Sequence, residues 1–279
     1  MHGASKTAGR TPETTSADPL AIAQTMLLGL FLLVIACLIV QRFGSFHLPG
    51  KEGIWDAVLL ILSLAVTLTS LCKQLPAQNV LLATVIVGVI SGGIHALGST
   101  TGIPFGPVIY TQAGGLRLFN ALSWFVPLLW IVAILGSRGV ARLILRPWRK
   151  LRVYGYWLMG ITILLTLIFD LGLEPFATRV RHYWLWSPTK IPVDWYGTPL
   201  SNFLGWVVAT VLILAFATPA LMKKKPAKAG TDYAPLIVWI SLNLLFIAGA
   251  LSEHLISAAI VSAIACLAVI PFAVRGARW

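Results

Sequence analysis

Asp170 and Glu174 lie four residues apart in an otherwise apolar stretch, with Pro175 directly after them. On a helix this spacing puts both carboxyl groups on one face, one turn apart. Pro175 is expected to help stop that helix. Two carboxyls held so close outside bulk water oppose each other's ionisation, so one can remain a proton donor near neutral pH. The spacing by itself favours a plainer arrangement, in which Arg179 or Arg181 pairs with the carboxylates at the membrane interface. Beyond them come Trp184, Trp186, Trp195 and Tyr196, then Asn202 and Trp206. By default these aromatic residues form an interfacial belt. Their π faces could also stabilise a cation.

A second stretch has a different character. Gly98 to Pro107 (GSTTGIPFGP) continues through Tyr110 to Arg117 and is rich in Gly and Pro and nearly uncharged. Backbone of this kind survives at membrane depth only where protein buries it or where it lines a wet cavity. It therefore makes a candidate re-entrant loop, the alternative being an ordinary connection outside the membrane. His95 ends the helix before it.

These residues need helices to hold them, and the composition says which kind. The chain has 279 residues, 58% apolar and 11% charged, with mean hydropathy +0.86. Soluble domains run at about 25% charged residues, so a water-soluble or disordered chain is excluded. Eight stretches are apolar enough to span a bilayer: 20–40, 54–71, 80–97, 118–135, 156–173, 202–221, 233–251 and 255–274. The last two are separated only by Ser252, Glu253 and His254, which reads as a tight hairpin. The expected architecture is an all-α polytopic bundle over residues 20–279, preceded by a polar disordered tail at 1–19. Three dispersed cysteines exclude a disulfide framework and a thiolate zinc site.

Eight spans put both termini at one end. Of the 21 basic residues, fifteen fall at that end and six at the other, which predicts cytoplasmic termini in a cell membrane. The segment Arg142–Arg152 (RLILRPWRKLR) contributes most and reads first as an anchor on anionic lipid. The net charge of +12 is thus a topology signal and not a nucleic-acid footprint. The same topology brings His95, Asp170, the Glu253–His254 turn, Asn202 and Trp206 toward the opposite end. Intramembrane ionisable groups are functional candidates. Asp56, one turn into the second span, also points there, and is read as a helix-start carboxylate favoured by the macrodipole. No nucleotide, zinc-protease or serine-hydrolase motif is present with its required context.

Residues 90–215 resemble the carotenoid biosynthesis family of multi-pass membrane hydratases, which includes bisanhydrobacterioruberin hydratases and carotenoid 1'-hydratases. The resemblance rests on Gly98…Thr101-Gly102-x-Pro104-Phe105-Gly106 with Tyr110, and on Asp170-Leu171…Glu174-Pro175. It continues in Trp184-x-Trp186 and in Tyr196-Gly197-x-Pro199-Leu200-x-Asn202-Phe203-x-Gly205-Trp206. It implies addition of water to the terminal isopropylidene double bond of an acyclic carotenoid, with no metal and no cofactor. On that basis Asp170 or Glu174 would be the acid, with its partner or His95 as base or water-positioner. Thr101, Pro104, Phe105, Tyr110, Trp184, Trp186, Tyr196, Asn202 and Trp206 would bind substrate. Membrane lipid, the carotenoid and other pathway enzymes are the implied partners. One position departs, since the family usually carries Glu where this chain has His95. That departure supports the alternative of a non-catalytic carotenoid or isoprenoid binder, or a pathway-assembly protein. A third class, a small-solute transporter, lacks the expected repeats.

Overall fold

The computed structural model describes residues 18–44, 46–189, 193–222 and 230–279; the polar tail up to residue 17 lies outside them. Eight helices are long and apolar enough to cross a membrane. They are α1 (Pro19–Phe43), α2 (Glu52–Cys72), α3 (Ala77–Thr101), α4 (Phe125–Ile144), α5 (Tyr154–Pro175), α6 (Leu200–Ala217), α7 (Ala234–Ser252) and α8 (Ile256–Ala277). The chain is an all-α integral membrane bundle, as its hydropathy predicts. The hairpin between α7 and α8 turns at Glu253 and His254, both exposed.

α4 and α7 are the most enclosed helices, and α7 packs against α1, α2, α4, α5 and α8. Association of helices in lipid rests on close packing and satisfied polar groups, because lipid tails are as apolar as leucine. The buried hydroxyls of Ser63 and Thr67 on α2 and of Thr162 and Thr166 on α5 are accordingly satisfied within their own helix. Thr162 Oγ1 donates to Leu158 O at 2.6 Å, and Thr166 Oγ1 to Thr162 O at 2.8 Å.

Pro175 does not stop α5. The chain continues through a π-helical turn at Phe176–Val180, closed by Arg181 N to Phe176 O at 2.9 Å. A proline has no N–H to give the carbonyl four residues back, here that of Leu171. Trp195 Nε1 reaches across and donates to that oxygen at 3.0 Å. The unsatisfied group that would favour ending the helix is thereby paired, so the helix runs on.

The Gly/Pro-rich segment folds back over the bundle end as a cap of short strands and one 3-10 turn at Gln112–Gly114. Strand β1 (Val108–Tyr110) pairs antiparallel with β4 (Trp184–Trp186). Two two-residue pairs accompany it, β2 (Arg117–Leu118) with β3 (Leu122–Ser123), and β5 (Asp194–Trp195) with β6 (Thr198–Pro199). Side chains alternate across a strand. Ile109 and Leu185, paired in register, are both exposed, while Tyr110 and Trp184 face the bundle. The W-x-W spacing therefore aims both indoles of β4 inward.

Candidate active site

Glu174 is the penultimate residue of the α-helical part of α5, and Asp170 lies one turn deeper; both are buried. Four neutral donors meet the Glu174 carboxyl. On Oε2 they are Trp184 Nε1 at 3.1 Å, Trp186 Nε1 at 2.9 Å and Thr198 Oγ1 at 3.1 Å; on Oε1 the donor is Asn202 Nδ2 at 3.2 Å. The same Asn202 nitrogen donates to Asp170 Oδ2 at 3.0 Å, and Asp170 Oδ1 has no partner among the described residues. Asn202 thus joins the two carboxyls from the first turn of α6.

The arginine pairing that the spacing favoured does not occur. Arg181 meets Asp56 at 2.7 Å, and Arg179 Nε donates to Tyr196 O at 3.0 Å. Asp56 therefore serves as one half of an ion pair between α2 and the end of α5, beyond any benefit from its helix dipole. Among the described residues, only uncharged groups hydrogen-bond to Asp170 and Glu174.

The second cluster is built around His95. Indole N–H groups only donate, so the 2.7 Å bond from Trp130 Nε1 makes His95 Nε2 an acceptor. The ring proton then sits on Nδ1 and is donated to the Tyr110 hydroxyl at 3.1 Å. With its oxygen accepting from His95, Tyr110 is free to give its own proton elsewhere. Burial first, and the Glu174 carboxylate second, hold the Tyr110 phenol well above its usual ionisation range, so it remains a donor. Phe105 stacks on the imidazole at 4.2 Å between ring centroids, and Trp130 stacks on Trp206 at 3.9 Å. Gly205 leaves the room this requires: a Cβ there would lie 2.6 Å from Phe105 Cδ1.

The two clusters meet at a cavity of about 20 Å³, lined among others by His95, Tyr110, Trp130, Glu174, Trp184, Trp186 and Trp206. That is room for one water molecule. On the far side of Trp184 and Leu129, which border both spaces, lies an apolar cavity of about 430 Å³. Phe125, Phe169, Leu173, Phe176 and Phe246 furnish much of its wall.

Most of the residues singled out in the sequence come together here: Asp170, Glu174, His95, Phe105, Tyr110, Trp184, Trp186, Asn202 and Trp206. Pro104 supports them from behind, its backbone against Gly205. Two do not join them. Thr101 is exposed, its hydroxyl spent on Leu97 O at 2.7 Å and Ile103 N at 3.1 Å as α3 ends. Tyr196 sits in the β5–β6 turn at φ 54°, beside Gly197 at φ 89°, and its hydroxyl bonds Ser257 on α8. The Glu253–His254 turn also lies apart. Thr198 and Trp130 were not anticipated. A single hydroxyl in a loop and a tryptophan within a span carry no distinguishing sequence signal.

The sequence profile of a family described as "carotenoid biosynthesis protein" matches residues 55–271. No curated protein and no solved structure matches the chain.

Proposed function

From the premise that the chain belongs to the carotenoid biosynthesis protein family, we propose that it hydrates the terminal isopropylidene double bond of an acyclic carotenoid. The observation that carries this reading is Glu174: a buried carboxyl with four neutral donors, facing a water-sized cavity walled by indoles. The end group of the substrate occupies the apolar cavity and reaches Glu174 past Trp184.

Two adjacent carboxyls this far from water oppose each other's ionisation, so before the alkene is protonated the pair holds one proton. Glu174 is the member that borders the cavity. Its proton passes to the less substituted alkene carbon, whose new C–H bond takes the π electrons and leaves a tertiary carbocation. The carboxylate that remains is stabilised by Trp184, Trp186, Thr198 and Asn202. The indole faces stabilise the cation while it lasts. Water held by the Tyr110 hydroxyl adds through oxygen to the cation and returns one proton to Glu174. The product is a tertiary alcohol and the enzyme is unchanged. His95 acts as a positioning residue, since both ring nitrogens are engaged and its role is to orient Tyr110. The same engagement suits a non-catalytic carotenoid binder, the second reading.

Expression of the full chain in a lycopene-producing host separates the two. Hydration adds the mass of one or two waters to the pigment. Unchanged pigment that co-purifies with the protein would leave a binder and end the hydratase reading. The end of the bundle to which the sequence assigns fifteen basic residues is proposed to face the cytoplasm. A reporter fused after Trp279 should be active there, and a signal from the other side would reverse the orientation.

A further inference from the structure

At the opposite end of the bundle, where both termini lie, a cavity of about 510 Å³ is bordered by Arg138, Arg142, Arg146 and Arg149. Their spacing makes one stripe down α4 and the short turn that follows it. Like charges at this spacing repel along a helix, and the single carboxylate bordering the cavity among the described residues, Asp232, is already held by Gln24 Nε2 at 3.0 Å and Ala234 N at 3.0 Å.

Arg138 distinguishes this arrangement from a surface anchor. It lies six residues, about 9 Å along the axis, inside the end of α4, and is only 7% exposed. One terminal nitrogen donates to Leu221 O at 2.9 Å. The other, Nη1, is buried without a partner among the described residues. A cation held out of water with an unused donor is costly unless an anion meets it. An interfacial anchor would instead reach outward, as the exposed Lys150 does. Leu71, Leu135, Leu158 and Met159 line the same cavity, so it offers a cationic wall and an apolar one together.

We propose that this cavity binds a phosphate or diphosphate group carrying a hydrocarbon chain, with Arg138 as its deep ligand. Guanidinium groups suit phosphate oxygens because they present paired N–H donors in a plane. A membrane phospholipid and an isoprenoid diphosphate share this chemistry.

The test uses the full-length protein in neutral detergent and follows its thermal unfolding. Phosphatidic acid, farnesyl diphosphate and inorganic pyrophosphate are titrated separately, with phosphatidylcholine as the zwitterionic control. At least one of the three anions should raise Tm in a saturable way. Arg138→Gln and Arg142→Gln should each weaken that binding at least tenfold, whereas Lys150→Gln should leave it unchanged. Stabilisation by phosphatidic acid alone identifies a lipid site; stabilisation by farnesyl diphosphate and pyrophosphate identifies a soluble diphosphate. Arg142 is partly exposed, so Arg142→Gln serves where Arg138→Gln does not fold. The proposal is overturned if no anion shifts Tm, or if Lys150→Gln weakens binding as much as the arginine variants.

Discussion

Replacing Glu174 with glutamine should leave lycopene unhydrated in a producing host while the protein inserts into the membrane at its normal level. The amide keeps the size of the side chain, and its oxygen can still accept from Trp184, Trp186 and Thr198. What it loses is the proton. An acid or base contributes typically about 10²–10⁴ in rate, so the hydrated pigment should fall below detection at matched protein level. The amide nitrogen would also face the Asn202 nitrogen that now donates to Oε1. Asn202 can relieve that clash by turning its amide, whose oxygen has no partner among the described residues and would then accept from a protonated Asp170. The fold therefore has a way to absorb the change, and lost activity reports on chemistry. Normal product from the Glu174→Gln strain would remove this residue from the mechanism.

The spans were legible because hydropathy over about 20 residues is a one-dimensional signal, and the helix ends fall close to the sequence boundaries except at the fourth span. That span is expected over 118–135, but its start lies in the strands β2 and β3, and α4 runs over Phe125–Ile144. The Asp170–Glu174 spacing was legible for a similar reason, as both sit on one helix. What the sequence could not carry were relations across long separations. Pro175 carries a local signal to stop, which is overruled by an indole at Trp195, twenty residues later. The inward aim of Trp184 and Trp186 follows from a register with Val108–Tyr110, set more than seventy positions earlier. The arginines beside the carboxylates suggested an ion pair by proximity in sequence, yet the partner of Arg181 came from α2.

His95 shows the same limit from the other side. As an isolated residue it invited a role in proton transfer, because histidine titrates near neutral pH. Its surroundings leave little freedom for that: Trp130 occupies one nitrogen, Tyr110 the other, and Phe105 covers a face. A carboxylate at this position would meet Trp130 and Tyr110 as an acceptor only. The histidine passes a hydrogen bond onward, which fixes the direction in which the Tyr110 proton points.

Replacing Asp170 with asparagine should lower hydration about a hundredfold, within the range for a group that takes part in acid–base work. Asp170 does not border the water-sized cavity. Its effect must therefore pass through Glu174, to which Asn202 links it by one nitrogen. With two carboxyls, one proton stays in the pair because a second negative charge is opposed. With one carboxyl the like charge that opposes ionisation of Glu174 is gone. The four neutral donors favour its carboxylate against the burial that opposes it, and Glu174 gives its proton to the alkene less readily. A structural role would predict a similar loss, so a rescue distinguishes the two. The double variant Asp170→Asn with Asn202→Asp exchanges carboxyl and amide across the same hydrogen bond and restores two carboxyls to the site. It should recover a measurable part of the activity that Asp170→Asn loses. If Asp170→Asn alone hydrates lycopene at the wild-type rate, Glu174 works unaided and the shared proton is wrong. If the exchange recovers nothing while both variants insert normally, a second carboxyl at position 202 does not replace the one at 170, and the shared proton is not what Asp170 supplies.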